Sequence, residues 1–205
     1  LFLVHLAEGA RGGLEHRAST SLLCSRRDLP APGVERVTDD YRGFLGLASH
    51  EYFHSWNVKR IRPAAFAPYD LAREAYTRQL WAFEGITSYY DDLALLKCGV
   101  IDAASYLELL GRTATAVQRT PGRHVQSAAD ASFDAWIKYY RPDENTPNAG
   151  VSYYAKGALV ALALDLTLRQ GGSSLDALMR ELWRRHGETG VGVPEDGIAR
   201  LASGL

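Results

Sequence analysis

The sequence predicts an α+β fold that is mostly helical, with a small β segment at its start. Three observations carry this. Short β-compatible runs within residues 1 to 25 are split by the glycine-rich "GARGG". From about residue 38 the apolar spacing changes from period two to the three-or-four of a helix. Capping residues followed by helix-length stretches then recur to the end of the chain.

In chain order, "LFLVHLA" at 1 to 7 is a strand. "GARGG" at 9 to 13 is a flexible turn, and "LEHRASTSLLCS" at 14 to 25 supplies one or two further strands. "LPAPG" at 29 to 33 is a loop. Residues 1 to 37 therefore form the β segment, and residues 38 to 205 the helical body of the same domain. Thr38 or Asp39 caps a helix carrying Phe44, Leu45, Leu47, Ala48, Tyr52, Phe53 and Trp56. Pro63 and Pro68 bracket a loop. A long helix is expected over about 71 to 97, stopped by Gly99. Asp102 caps the next, which runs to about Arg119, before Pro121. Residues 121 to 150 read as irregular, with Pro121, Pro142 and Pro147. "YYAKGALVALALDLTLRQGG" is a very apolar helix ending at a glycine pair, Ser174 caps "LDALMRELWRRHG", and a short helix follows Pro194.

Bulk properties narrow the function classes. The chain has 205 residues, 46% of them hydrophobic, and a formal net charge of -1. That suits one sizeable globular domain, or one plus a fragment, and gives no footprint for nucleic acid or an anionic membrane. No membrane span is expected. The two cysteines, Cys24 and Cys98, stand outside any C-x-x-C pair, so cysteine does not build a metal site. They pair in one disulfide or remain two thiols. "LFLVHLAEG" lacks a basic stretch and a cleavage site and reads as a strand, so the sequence is expected to be a piece of a longer protein.

The chemistry concentrates in "LASHEYFHSWNVKRIRP", residues 47 to 63. His50, Glu51 and His54 form an H-E-x-x-H pattern. Residues four apart share a helix face, so the two imidazoles can meet one metal ion. Glu51 stands about 100° further round and can act as a base on a water there. Tyr52, Phe53 and Ser55 are uncharged, which suits a helix running through a core.

A catalytic zinc takes a third protein ligand. No histidine stands where H-x-x-G-x-x-H would place it. Of the downstream carboxylates, Glu74 sits between Arg73 and Arg78 and reads as a solvated face. Glu84 lies in "LWAFEGITSYYDD" beside Trp81, Phe83 and Ile86, where burying an unpartnered carboxylate is costly. Glu84 is therefore the expected third ligand. Asp91, two turns on, can accept the free ring N–H of a ligand histidine or be an exposed acid beside Asp92. His5, His16, His124 and His186 share no ligand spacing.

H-E-Y-F-H followed by W-N-V-K-R-I-R-P, then W-x-F-E-G-I-T-S-Y-Y-D-D, resembles the glycyl aminopeptidase family of gluzincin metallopeptidases. "GGLEHR" at 12 to 17, "FDAWIKYYRPDENTPN" at 133 to 148 and "VSYYAKGALVALALDL" at 151 to 166 agree with it. The resemblance implies a thermolysin-like catalytic domain with one Zn2+ on His50, His54 and Glu84. It also implies release of small N-terminal residues such as Gly and Ala from peptides with a free N-terminus. Fuller members add a β-rich domain before this region and a PDZ-type domain after it. The sequence leaves the compartment open, with bacterial cytoplasm or periplasm as the expectation. The gap from His54 to Glu84 is longer than in the larger related aminopeptidases, and E-G-I-T assigns the ligand. "GGLEHR" resembles the G-x-M-E-N strand of those relatives, which implies Glu15 as the anchor of the substrate's free amine. "YYAKG" resembles Y-E-K-G, which implies Tyr154 as an oxyanion donor. Two alternatives stay open at this point: an endopeptidase on the same site, and a peptide-binding module whose zinc is structural.

Overall fold

The structure, a computed structural model, describes residues 1–205. The chain packs as two compact units, residues 1–55 with 90–110, and residues 56–89 with 111–205.

The first unit opens with a three-stranded sheet of β1 (Phe2–Leu6), β2 (Gly12–Glu15) and β3 (Thr20–Cys24), in the order β1-β3-β2. β1 runs parallel to β3 and β2 antiparallel to it, with Gly13 opposite Leu22 and Glu15 opposite Thr20. β2 is thus an edge strand. Gly12 and Gly13, expected in a turn, belong to this strand. The chain instead reverses earlier, at Gly9, whose φ of 72° suits a residue without a side chain. Leu22 and Cys24 point inward and are buried. Helix α1 (Asp39–Phe53) packs on β2 and β3. Thr38 is its cap, accepting the Tyr41 N–H at 3.2 Å. Its fully buried positions are Arg42, Gly46 and Glu51 rather than its apolar residues. Arg42 is neutralised by Asp39 at 3.2 Å and Glu108 at 3.5 Å.

The helix expected from residue 71 begins only with α2 (Leu80–Phe83), and α3 (Gly85–Lys97) follows after a break at Glu84. The cause is competition for the backbone donors. The Glu195 carboxylate takes the Arg78 N–H at 3.1 Å and the Thr77 hydroxyl at 2.7 Å, and Thr77 Oγ1 takes the Gln79 N–H. Those groups are satisfied without a helix. Helix α4 (Ala103–Arg119) is capped by Asp102, which accepts the Ser105 N–H at 2.8 Å. Within residues 121 to 150, α5 (Ala128–Phe133) and α6 (Thr146–Ala149) are short helices.

The second unit is built around α7 (Tyr153–Gln170), capped by Ser152, with α8 (Leu175–Leu182), capped by Ser174, and α9 (Gly197–Ser203). α2 packs on α5 and α7, and α8 on α7 and α9. A Cβ on Gly157 would lie 2.9 Å from Gly85 Cα, so the α2–α3 break and α7 meet backbone to backbone. Residues Thr146–Gln170 are long and apolar enough to cross a membrane by length and composition. Their buried residues instead join a protein core, and they include a carboxylate, Asp165. Cys24 and Cys98 are free thiols.

Candidate metal centre

In the first unit, His50 and Glu51 occupy the last turn of α1, and His54 is its C-terminal cap. The His54 N–H still bonds His50 O at 3.2 Å, so the helical i, i+4 relation holds. The two rings stand 4.7 Å apart, edge to face. His50 Nδ1 lies 3.1 Å from Asp91 Oδ2 on α3. An Nδ1–H donated to that carboxylate leaves the Nε2 lone pair for a metal. Burial raises the Asp91 pKa, and the His50 hydrogen bond works against it. Asp92, beside it, is pushed up to about 7 by burial and by the Asp91 charge.

Glu51 is 7% exposed, because β2 covers it. A Cβ at Gly13 would overlap the Glu51 carboxylate, so only glycine lets the strand pass. Glu15 belongs to the same strand, and the ligand atoms of Glu15, Glu51 and His54 all lie within 4.8 Å of one another.

In the second unit, Glu84 caps the C-terminus of α2, its N–H bonded to Leu80 O at 2.7 Å. Asn57, 2% exposed, gives its side-chain amide to the carbonyls of Ala82 and Phe83 at 3.3 and 3.2 Å. This pins the break just before Glu84. Tyr154 lies in the first turn of α7. Its phenol is pushed above its ordinary pKa by burial first, then by the Glu84 charge, so it keeps its proton. Its hydroxyl lies 2.9 Å from that of Tyr140, and Tyr153, 1% exposed, packs inward.

The sequence gives no role to Gly13 or Asn57, and for Tyr140 only a choice between cleft lining and core. Each stood in a quoted stretch, but the need for a glycine over Glu51 or an amide at a helix break exists only in three dimensions.

The two imidazoles stand at the end of α1 in the first unit, and the Glu84 carboxylate belongs to the end of α2 in the second. Two imidazoles and one carboxylate are a donor set that suits zinc.

A sequence model described as M61 glycyl aminopeptidase matches residues 43–160, more than half of the chain. The chain belongs to the M61 glycyl aminopeptidase family. The match takes in His50, Glu51, His54, Glu84, Asp91 and Tyr154, and leaves Glu15 outside it. A crystal structure described as an aminopeptidase N family protein, from Idiomarina loihiensis, is similar to this M61 chain at 50% identity with a TM-score of 0.94. The similarity covers 97% of this chain and 34% of that one. The M61 chain thus spans about a third of that protein. A search of curated proteins found no match.

Proposed function

We propose that this chain is the thermolysin-like catalytic region of a zinc aminopeptidase that releases small N-terminal residues, glycine and alanine, from peptides. The observation that carries the reading is the His50 and His54 pair at the end of α1, with Asp91 holding His50 by Nδ1. The family supports peptidase chemistry. His50, His54 and Glu84 would hold the ion.

When bound, zinc would supply Lewis acidity to the scissile carbonyl and bring the pKa of a water towards about 7. The chain's own groups do the rest. Glu51 takes a proton from the attacking water and delivers it to the leaving amine. Its place beneath β2 keeps bulk water away. Tyr154, held protonated, donates to the carbonyl oxygen as that oxygen gains charge. β2, an edge strand, offers unpaired backbone groups on its outer side, where a peptide can lie as an added strand. Glu15 on that strand meets the peptide's ammonium and so limits cleavage to the first residue.

The test is hydrolysis of glycyl- and alanyl-p-nitroanilide by zinc-loaded full-length protein, with the N-acetylated substrates alongside. Cleavage of the free-amine substrates alone is expected. Equal cleavage of the blocked ones would make the protein an endopeptidase. No cleavage of either, with one zinc bound, would leave a peptide-binding module. The Glu15, Glu51 and His54 grouping favours the aminopeptidase, since it sets an amine anchor beside the base.

A further inference from the structure

We propose that Tyr140 is a positioning residue for Tyr154, directing its hydroxyl proton towards the substrate oxygen; this rests on the reading of Tyr154 as the oxyanion donor. Tyr140 Oη lies 2.9 Å from Tyr154 Oη, and Tyr153 donates its proton to Tyr140 Oη at 3.3 Å. A phenol has one proton to give. The 2.9 Å contact allows either direction, and we take the one in which Tyr140 Oη, an acceptor from Tyr153, gives its own proton to the Tyr154 oxygen. The Tyr154 proton is then directed to an acceptor other than Tyr140.

In that arrangement the three hydroxyls form a chain of one polarity, from buried Tyr153 through Tyr140 to Tyr154. Hydrogen bonds in such a chain strengthen one another, which makes the terminal hydroxyl a better donor. The Tyr140 ring is fixed on two sides. Trp136 stacks on it at 4.8 Å, and Tyr139 meets it edge-on at 5.2 Å. Yet Tyr140 is 48% exposed and Trp136 64% exposed. A stacked aromatic pair that faces solvent adds little to a core, whereas the Tyr140 hydroxyl bonds both neighbouring phenols. Its job is therefore the alignment of Tyr154.

The experiment uses zinc-loaded full-length protein and alanyl-p-nitroanilide, with Tyr140→Phe, Tyr154→Phe and the double variant. Tyr140→Phe is expected to lower kcat about tenfold, the worth of one hydrogen bond, with KM within about twofold of wild type and unchanged zinc content. In the Tyr154→Phe background it should cost nothing further, because the group it aligns is gone. Normal kcat in Tyr140→Phe beside a crippled Tyr154→Phe would overturn this inference and leave the oxyanion role standing. Normal kcat in Tyr154→Phe would overturn the oxyanion role, and this inference with it. A Tyr140→Phe loss that multiplies onto Tyr154→Phe, or that comes with a lower Tm and a raised KM, would mark Tyr140 as merely structural and also overturn the proposal.

Discussion

At the scale of single residues, Glu51 and Gly13 form one device. Glu51 is almost fully buried, yet in the proposed mechanism it exchanges a proton at each turnover. Glu51→Gln keeps the shape and removes the basicity. It should lower kcat by about 10^2- to 10^4-fold while the protein still binds one zinc, as stopped assays beside metal analysis will read. Gly13→Ala tests the same device from the other side. Its methyl group would occupy the space of the Glu51 carboxylate, so either the strand lifts or the base turns away. Activity should fall by at least tenfold, because small displacements of a base are costly. Wild-type rates in Gly13→Ala would mean that β2 does not constrain Glu51. The H-E-x-x-H was legible in sequence because i, i+4 periodicity is a local property. Composition alone puts the glycine in a turn, and only the resemblance of "GGLEHR" points to a strand, because the carboxylate that excludes a side chain there stands 38 positions away by numbering.

At the scale of elements, helix ends place the proposed ligands and their neighbours. His54 caps α1, Glu84 caps α2, and Tyr154 opens α7. The caps themselves were legible: Thr38, Asp102 and Ser174 accept N–H groups as their types predict. The break before α3 was not. Residues 71 to 79 have ordinary helix-forming composition, and what unwinds them is Glu195, far along the chain. The pairing of His50 with Asp91 on α3 likewise depends on which helices are neighbours. Asp91→Ala should weaken zinc binding about 10- to 100-fold, since the carboxylate fixes the tautomer and raises the basicity of His50. Competition with a chromophoric chelator measures this. An unchanged affinity would show that Asp91 does not support the metal.

At the scale of the whole molecule, the stability of the second unit should show an acid limit set at Asp165 rather than at the proposed site. This carboxylate is 3% exposed in the middle of α7. It accepts the Leu175 N–H and the Tyr89 hydroxyl, each at 2.7 Å, and Arg169 at 2.8 Å. Burial alone would raise its pKa, but the Leu175 N–H and the Arg169 guanidinium outweigh it and hold the carboxyl below its usual value. The ionised form is therefore the one the fold favours. The stabilisation is complete above the unfolded pKa of about 3.9 and is lost as the pH falls through the lower folded value. Asp165→Asn should cost about 2–4 kcal/mol at pH 7, because it weakens the bonds to three partners and leaves one amide N–H facing donors. The gap between the variant and wild type should close in acid, where the wild-type carboxyl also takes up a proton. Urea unfolding at pH 7 and again below pH 3 measures both values. A gap that stayed constant would mean that Asp165 acts through packing, with its charge irrelevant, and the acid limit would then belong to another group.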